Sequence, residues 1–324
     1  MTAYQTLEGA IPGLIADIGG TNARFALVTP GDEPRHALVL PCAEFAGPVE
    51  AAEAYLARAS PEQRPVRAAF AIAAAVTGDI LEITNNHWRF SISETEQRLG
   101  VEQLRVVNDF TAVALCVPLL QDSHRVAIGG GEAVPATPIA VLGPGTGLGV
   151  SALIPGGGGW HALATEGGHV TMAATTNREA QVLEWLRGLF EHVSAERVLS
   201  GPGLVTLYSA LCVIDGKEPE PHTPDIISTR GGEGSCPVCR EALEMFFAML
   251  GTVASDLALS VGARGGVYLA GGILPRMIEA FTRSTFRARF EAKGRFREYL
   301  AAIPTYLITH PYPAFLGLSG LVKG

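Results

Sequence analysis

Residues 14–28 read LIADIGGTNARFALV, an apolar block, a glycine turn and a second apolar block. This pattern predicts a buried strand, a tight turn at residues 19–21 and a second strand. Glycines let backbone N–H groups come close to an anion, and the hydroxyl of Thr21 adds a donor. A Walker loop is excluded because its lysine is absent, and a dinucleotide fingerprint is excluded because a strand follows instead of a helix. A plain hairpin turn without a ligand is the alternative interpretation.

The same pattern occurs again near the middle of the chain. Residues 139–154 read IAVLGPGTGLGVSALI, with Thr146 between glycines. The repetition predicts two α/β halves with related cores, whose turns would hold a polyphosphate from both sides. Asp17, directly before the first turn, suits Mg²⁺ held directly or through water. A third glycine segment, Gly271-Gly272, would let an adenosine lie close to the backbone. Such a pair alone is more often a site of close packing than a ligand site.

Composition limits the class of protein. The chain has 324 residues, of which 48% are apolar and 17% charged, so it suits two domains with large cores. The net charge of −8 argues against a nucleic-acid-binding surface. No uninterrupted apolar run approaches the ~18 residues of a membrane helix, and the N-terminal residues 1–8 do not resemble a signal peptide. Five cysteines, an odd number, predict reduced thiols in a cytoplasm.

Asn108 and Asp109 directly follow a short predicted strand at residues 104–107. An aspartate at the end of a strand, between two halves, is well placed to act as a general base. The alternative is that Asp109 caps a helix that begins near Thr111.

Three more polar residues, Glu166, His169 and Glu196, lie further along the chain. Zinc binding by Glu166 and His169 would need additional ligands that the neighbouring sequence does not offer. A polar ligand contact is therefore favoured over zinc, and a hydrogen-bonded loop histidine is the alternative. Glu196 alone would be an ordinary salt-bridge residue at a short helix start. Together with residues 108 and 109, these side chains suit a sugar, whose hydroxyls need paired donors and acceptors.

Other features are interpreted as structural. Cys236-x-x-Cys239 is half of a zinc site with no second pair, so we expect two reduced thiols at a helix start. The basic residues within 283–297 alternate with acidic and aromatic ones and predict a solvated amphipathic face. Residues 219–234 predict a polar surface loop, and residues 68–76 predict a buried strand.

In combination, these motifs resemble the bacterial glucokinases of the non-ROK group, within the actin/hexokinase-like ATPase superfamily. The agreement runs in family order from about residue 14 to about residue 317. It departs from the family in an N-terminal extension to about Pro12 and in a glycine tip at 156–159. The matching segments are 17–24 and 145–150 for the phosphate loops, 84–88, 108–114, 166–170 and 192–204 for the sugar and catalytic site, and 269–276 for adenosine.

The resemblance implies ATP-dependent phosphorylation of D-glucose at its 6-hydroxyl to give glucose 6-phosphate, which feeds glycolysis. It implies Mg²⁺ as the metal, with Asp17 near it, and no structural zinc, because the cysteine-rich zinc motif of ROK kinases is absent. It implies Asp109 as the catalytic base. The glucose-binding residues that it implies are Asn108, Asp109, Glu166, His169 and Glu196. The ATP-binding residues that it implies are Ala16, Asp17, Ile18, Gly19, Gly20, Thr21, Gly145, Thr146, Gly147, Gly271 and Gly272.

The implied architecture is α/β, a two-domain actin/hexokinase-like (ribonuclease H-like) ATPase fold with a cleft between the domains. The small domain would comprise residues 1–109 plus 311–324, and the large domain residues 110–310. The resemblance also implies a cytoplasmic homodimer with no nucleic-acid or membrane partner. Two rivals remain open: a kinase for another hexose, such as mannose or an N-acetylated amino sugar, and a sugar-sensing regulator on the same fold. Such a regulator usually has an N-terminal helix-turn-helix, and the sequence shows no pattern of this kind.

Overall fold

A computed structural model describes residues 11–29 and 32–322, so the segment 1–8 discussed above lies outside the described residues. Strands and helices are numbered along the chain. The strands are β1 Gly13–Ile18, β2 Asn22–Val28, β3 Arg35–Pro41, β4 Arg67–Ile72, β5 Ile80–Glu82, β6 Arg89–Ser91, β7 Gln103–Asn108, β8 Arg125–Gly129, β9 Ile139–Pro144, β10 Leu148–Gly156, β11 Gly159–Ala164, β12 Val267–Leu269 and β13 Thr305–Ile308. The α-helices are α1 Pro48–Ala59, α2 Ile92–Leu99, α3 Asp109–Cys116, α4 Asn177–Arg187, α5 Gly201–Ile214, α6 Pro224–Glu233, α7 Pro237–Val261, α8 Ile278–Thr282, α9 Phe286–Glu291, α10 Arg297–Ala301 and α11 Pro313–Ser319.

The chain forms two compact units. The first contains the described residues up to Leu120 together with the C-terminal segment from Pro311, and the second runs from Gln121 to His310. The expected boundary after residue 109 differs from the observed one after Leu120, so α3 and the residues after it up to 120 belong to the first unit. The reason is packing: Gly317 of α11 lies against the backbone of α3, where an added Cβ would be 1.9 Å from the Ala112 carbonyl oxygen.

The first unit is built on a five-stranded sheet in the order β3-β2-β1-β4-β7. The first three strands pair antiparallel, whereas β1, β4 and β7 run parallel. Apolar side chains, including Phe25 and Phe70, are fully buried against the sheet. The strand predicted over residues 68–76 ends at Ile72. Ala73 still donates from its backbone N–H to the Ile18 carbonyl at 3.1 Å, but the residues after it leave the sheet.

The second unit repeats this arrangement. Its sheet has the order β11-β10-β9-β12-β13-β8, with antiparallel pairing up to β9, parallel pairing from β9 to β13, and β8 added antiparallel at the edge. The two halves with related cores, predicted from the repeated strand–turn–strand pattern, are confirmed. The glycine turn joins β1 to β2 in the first unit and β9 to β10 in the second unit. In both sheet orders these are the third and the second strand.

Helix α7 is the central helix of the second unit. Among the described residues it is the one helix long and apolar enough to cross a membrane by length and composition. Most of its side chains are buried in the core of the unit, among them Phe246 and Phe247. Burial of this kind is typical of a core helix, which passes the same test of length and composition.

Two predictions about the second unit are wrong. The expected surface loop at 219–234 contains α6, which begins with Thr223 as N-cap and Pro224 in the first turn and ends before Gly234. The expected solvated face within 283–297 contains two largely buried arginines. Arg287 donates to the carbonyls of Leu300 and Ile303 at 3.1 and 2.9 Å, and Arg289 pairs with Glu179 at 2.8 Å.

Candidate active site

The first glycine turn, residues 19–21, joins β1 to β2. Gly19 donates its N–H to the Asn22 carbonyl at 3.0 Å, which closes the turn. Asp17 lies opposite Arg24 across the two strands, and the Arg24 Nη1 to Asp17 Oδ2 distance is 3.3 Å. Burial raises the pKa of the Asp17 carboxyl, and Arg24 opposes that rise. The Asp17 side chain remains 27% exposed, so a ligand can reach its carboxylate.

A neighbouring loop braces this turn. The Asn86 side-chain amide donates to the Gly19 carbonyl at 3.2 Å, and its Oδ1 accepts from the Trp88 N–H at 3.1 Å. On the other side, Cys42 donates its N–H to the Thr21 carbonyl at 2.8 Å. Two carbonyls of the turn are thus used by protein donors, which fixes the backbone of the turn. The family resemblance includes residues 84–88, but the sequence alone indicates no role for Asn86, because nothing local points to a partner 67 residues away.

Asn108 and Asp109 form the junction between β7 and α3. Asn108 is the N-cap of α3: its Oδ1 accepts from the N–H groups of Phe110 and Thr111 at 2.9 and 3.3 Å. Its Nδ2 donates to the Ala74 carbonyl at 3.3 Å. Asp109 is the first residue of the helix, and its Oδ1 also accepts from the Phe110 N–H, at 2.8 Å. The alternative in which Asp109 is the helix cap is therefore wrong, since Asn108 holds that position.

The strand register brings these two places together within the first unit. Ile18 pairs with Ile72 in the parallel pair β1–β4, and Ile72 pairs with Asn108 in the parallel pair β4–β7. The first glycine turn and Asp109 therefore follow strands that end level with each other, two strands apart. The carboxyl ends of parallel strands are where open α/β sheets place their ligands.

The second glycine turn, residues 145–147, joins β9 to β10. Gly145 donates its N–H to the Gly147 carbonyl at 2.7 Å and accepts at its own carbonyl from the Gly201 N–H at 2.8 Å. Glu196 lies directly against this turn: its Oε2 accepts from the Leu148 N–H at 2.8 Å. A Cβ added at residue 147 would be 2.4 Å from that same oxygen, so a larger residue there would displace the Glu196 carboxylate. Sequence reasoning did not find this link between Glu196 and the turn.

The segment with Glu166 and His169 lies near Glu196 in the second unit. Thr165 donates its hydroxyl to the Val150 carbonyl of β10 at 2.8 Å. Ala195, next to Glu196, donates its N–H to the Val170 carbonyl at 2.8 Å. The side chains of Glu166 and His169 are exposed, and Glu196 is half-buried. The three predicted sugar-site residues of this unit thus come from two segments that are hydrogen-bonded to each other.

Gly271 and Gly272 follow β12, beside the second turn. The Ala270 N–H donates to the Leu142 carbonyl of β9 at 2.9 Å, which keeps the glycine pair next to the strand that leads into the turn. A cavity of about 320 Å³ lies here, lined by Leu204, Pro224, Asp225, Ser228, Thr229, Ile273, Arg276 and Met277. A Cβ added at Gly201, whose N–H binds the turn, would lie 3.7 Å from Pro224 and 4.0 Å from Ile273, both of which line this cavity.

Metal-ligating side chains do not cluster in the part of the chain that the structure describes. Across residues 11–29 and 32–322 there is no group of three or more His, Cys, Asp or Glu side chains that could hold a metal ion. Magnesium is commonly held by one or two carboxylates plus substrate phosphates. A single partly exposed carboxylate, Asp17, next to a glycine turn fits that mode of binding.

The chain is similar to known proteins in sequence and in fold. The sequence model of the glucokinase family matches residues 14–323. A glucokinase from Paramagnetospirillum magneticum is 62% identical over 310 residues, which cover 95% of this chain and 97% of the relative. The crystal structure of a glucokinase from an Antarctic psychrotroph is 39% identical, has a TM-score of 0.88, and covers 96% of this chain and 98% of its own. A ROK family glucokinase from Streptomyces griseus, crystallised with glucose and AMPPNP, has a TM-score of 0.65 at 20% identity, with 96% and 98% coverage, and is similar in fold.

The fold and the two glycine turns define a sugar kinase with the actin/hexokinase-like ATPase architecture, as the sequence predicted. The chain belongs to the glucokinase family, and its activity is the ATP-dependent phosphorylation of glucose.

Proposed function

We propose that Asp109 accepts the proton of the glucose 6-hydroxyl while that oxygen attacks the γ-phosphate of ATP. The register of β1, β4 and β7 supports this role most strongly. In this register β1 and β7 end at the same edge of the sheet, where the first glycine turn follows β1 and Asp109 follows β7. An alcohol is a poor nucleophile until its proton has an acceptor, and a carboxylate at hydrogen-bond reach supplies one. The helix cap is provided by Asn108, so Asp109 is not required for that purpose.

The glucose-binding residues in this proposal are Asn108, Asp109, Glu166, His169 and Glu196. Carboxylate oxygens accept hydrogen bonds from sugar hydroxyls, while the amide and the imidazole both donate and accept. Asn108 already uses its side chain toward Phe110, Thr111 and Ala74. Its contribution to sugar binding therefore rests on the remaining amide proton, and we expect it to be smaller than those of the carboxylates.

The ATP-binding residues in this proposal belong to all three glycine segments: Ala16, Asp17, Ile18, Gly19, Gly20, Thr21, Gly145, Thr146, Gly147, Gly271 and Gly272. The two turns bind phosphates through backbone N–H groups and threonine hydroxyls. The cavity of about 320 Å³ beside the Gly271-Gly272 pair takes the nucleoside, with Leu204 and Ile273 as its apolar contacts. Mg²⁺, held by Asp17 directly or through water, would neutralise charge on the phosphates.

Family membership also leads us to propose a homodimer in the cytoplasm that binds neither nucleic acid nor membrane. The reduced state of the five cysteines is compatible with that compartment. Sedimentation velocity of the purified protein tests the dimer directly, and a single species with the mass of one chain would contradict it.

A coupled assay of ADP release over a panel of hexoses tests the proposed substrate. We expect the highest kcat/KM with glucose, lower values with mannose and N-acetylated amino sugars, and glucose 6-phosphate as the product. Turnover that is higher with another hexose would contradict the assignment to glucose. ADP release that is independent of any sugar would contradict phosphoryl transfer to a hydroxyl of the sugar.

A further inference from the structure

Two cysteines stand together at the start of α7, where the proposed reaction does not use them. Cys236 is the N-cap of the helix and Cys239 is the third residue within it, and the Cys239 N–H donates to the Cys236 Sγ at 3.4 Å. Cys236 is half-buried, whereas Cys239 is fully buried. The pair therefore consists of one partly exposed cysteine and one buried cysteine.

The surroundings make these two thiols chemically different. Burial opposes ionisation of Cys236, but hydrogen bonds from the Cys239 thiol and from backbone N–H groups, together with the Arg230 guanidinium, lower its pKa. Burial raises the pKa of Cys239 to about 12. A thiolate is the nucleophile in disulfide exchange, and helix N-termini and nearby arginines favour it. Cys236 thus has the character of an attacking thiol, and Cys239 that of a resolving thiol.

The pair also contacts a helix that lines the cavity proposed for the nucleoside. The Cys236 N–H donates to the Arg230 carbonyl of α6 at 3.4 Å. Gly231 of α6 lies against the first turn of α7, where an added Cβ would be 2.7 Å from the Cys239 carbonyl oxygen. The same helix contributes Ser228 and Thr229 to the cavity. A change in the first turn of α7 therefore reaches α6 by direct backbone contact.

We propose that Cys236 and Cys239 form a reversible dithiol–disulfide site, oxidised by low-molecular-weight disulfides such as oxidised glutathione, and that the disulfide weakens the use of ATP through α6. The Cys236 thiolate attacks one sulfur of the small disulfide, which gives a mixed disulfide and one free small thiol. Cys239 then loses its proton and attacks the Cys236 sulfur, which forms the bond between residues 236 and 239 and releases the second small thiol. The protein dithiol is oxidised by two electrons and the small disulfide is reduced.

The effect on ATP follows from the helix cap and rests on the proposed nucleoside cavity. The Cys236 sulfur accepts the Cys239 N–H, and we infer that a bond to the Cys239 sulfur weakens this cap interaction. Loss of one cap interaction weakens a helix start by ~1 kcal/mol, which corresponds to a rise of about fivefold in KM for ATP if the whole effect reaches the cavity.

The chain offers a convenient test of the site. Trypsin cleaves after Arg230 and Arg240, and the peptide 231–240 contains both cysteines and no other. The intact protein is equilibrated with mixtures of reduced and oxidised glutathione, quenched with an alkylating reagent and digested. We expect this peptide to lose two hydrogens and to escape alkylation in oxidising mixtures, and to recover with dithiothreitol. A peptide that stays doubly alkylated throughout, or that carries only glutathione, would overturn the proposal.

Three variants serve as controls for this experiment. Cys236→Ser keeps a good N-cap and Cys239→Ala removes the resolving thiol, so neither should form the disulfide. Cys212→Ser removes the other thiol that is close enough to interact with Cys236 and should behave like the unaltered protein. If Cys212→Ser prevents the oxidation, the partner of Cys236 is Cys212 and the proposed pair is wrong.

Kinetics on the reduced and oxidised forms test the coupling to ATP. We expect the KM for ATP to rise about fivefold in the oxidised protein, the KM for glucose to stay constant, and Cys236→Ser to show no change in either. An unchanged KM for ATP in fully oxidised protein would overturn the coupling. Ile273→Ala, which changes the cavity lining outside α6, separates this failure from a failure of the proposed function: if it too leaves the KM for ATP unchanged, the cavity does not hold the nucleoside.

Discussion

The two glycine turns have the same position in two equivalent sheets, yet they differ in the source of their nearby carboxylate. In the first unit the acid, Asp17, belongs to the strand that leads into the turn and is held by Arg24. In the second unit the acid, Glu196, comes from a segment 48 residues away and binds the N–H of Leu148 directly after the turn. The first arrangement leaves a partly exposed carboxylate for a cation, whereas the second uses the carboxylate to fix the backbone. A repeated scaffold can therefore give each copy of a loop a different task.

The largest difference between the units is that the first also carries Asp109. Asp109→Asn keeps the shape and the hydrogen-bonding reach of the side chain but removes its basicity. We expect kcat to fall ~10²–10⁴-fold while glucose still binds, as measured by steady-state kinetics and by titration calorimetry.

Asn108→Ala is the control for a purely structural role at this junction. It removes the helix cap and should lower the free energy of unfolding by ~1 kcal/mol. Asp109→Asn should leave that quantity nearly unchanged. Normal turnover in Asp109→Asn would contradict the catalytic role.

The second turn is tested by comparing two carboxylates of the proposed sugar site. Glu196 binds the N–H of Leu148 directly after the turn, and Glu166 is the comparison. Loss of a hydrogen bond to a charged partner typically weakens binding by ~1.5–3 kcal/mol, so Glu166→Gln and Glu196→Gln should each raise the KM for glucose by about 10- to 150-fold. Only Glu196→Gln should also raise the KM for ATP, because the Leu148 N–H loses a charged acceptor. Equal ATP kinetics in both variants would show that the turn does not depend on Glu196.

The first turn is tested through its dependence on metal. Changes in groups that orient a metal or its ligands typically alter affinity by ~10–100-fold, and we expect Asp17→Asn to raise the Mg²⁺ concentration needed for half-maximal activity by that factor. The matched change in the second unit, Glu196→Gln, should leave the Mg²⁺ requirement unaltered. Activity is measured across a magnesium titration at a constant concentration of free ATP. A shift in Glu196→Gln equal to that in Asp17→Asn would remove the distinction between the turns.

The units also differ in how their ion pairs contribute to stability. Burial opposes ionisation of Glu179, but hydrogen bonds from Thr175 and from Arg289 outweigh it and lower the pKa. The ionised form is thus favoured by folding, so its contribution is present at neutral pH and is lost as the pH falls through the folded-state pKa. Glu179→Gln should lower the free energy of unfolding by ~1–2 kcal/mol at pH 7, and the difference should shrink below about pH 4.

Glu50→Gln is the control in the first unit, because the side chains of Glu50 and its partner Arg98 are 37% and 48% exposed. We expect a loss of ~0–1 kcal/mol there. Urea unfolding at several pH values measures both variants. A constant difference for Glu179→Gln down to pH 3 would contradict the assigned cause.

Much of the fold could be predicted from local signals. The strand–turn–strand pattern at 14–28 and at 139–154 identified both halves. The helix α6 was missed although Thr223, Pro224 and Gly234 mark its ends, because its polar composition was read as a loop.

Contacts between distant residues could not be predicted from the sequence. The Asn86 side chain reaches Gly19, and Glu196 reaches Leu148, only after strands far apart in the chain have paired. Arg287 was assigned to a solvated face because its neighbours are charged, yet its guanidinium meets carbonyls at the end of α10. Candidate residues are thus recognisable by type, whereas their partners depend on the tertiary fold.

The central proposal is that both copies of the glycine turn bind ATP. Calorimetric titration of a non-hydrolysable ATP analogue with Mg²⁺ into Thr21→Ala and Thr146→Ala tests it most directly, because each variant removes one hydroxyl from one turn. A neutral hydrogen bond contributes ~0.5–1.5 kcal/mol, so both variants should bind the analogue about 2- to 13-fold more weakly, with the affinity for glucose unchanged. Weaker binding in one variant only, or a loss of glucose affinity equal to the loss for the nucleotide, would contradict the account.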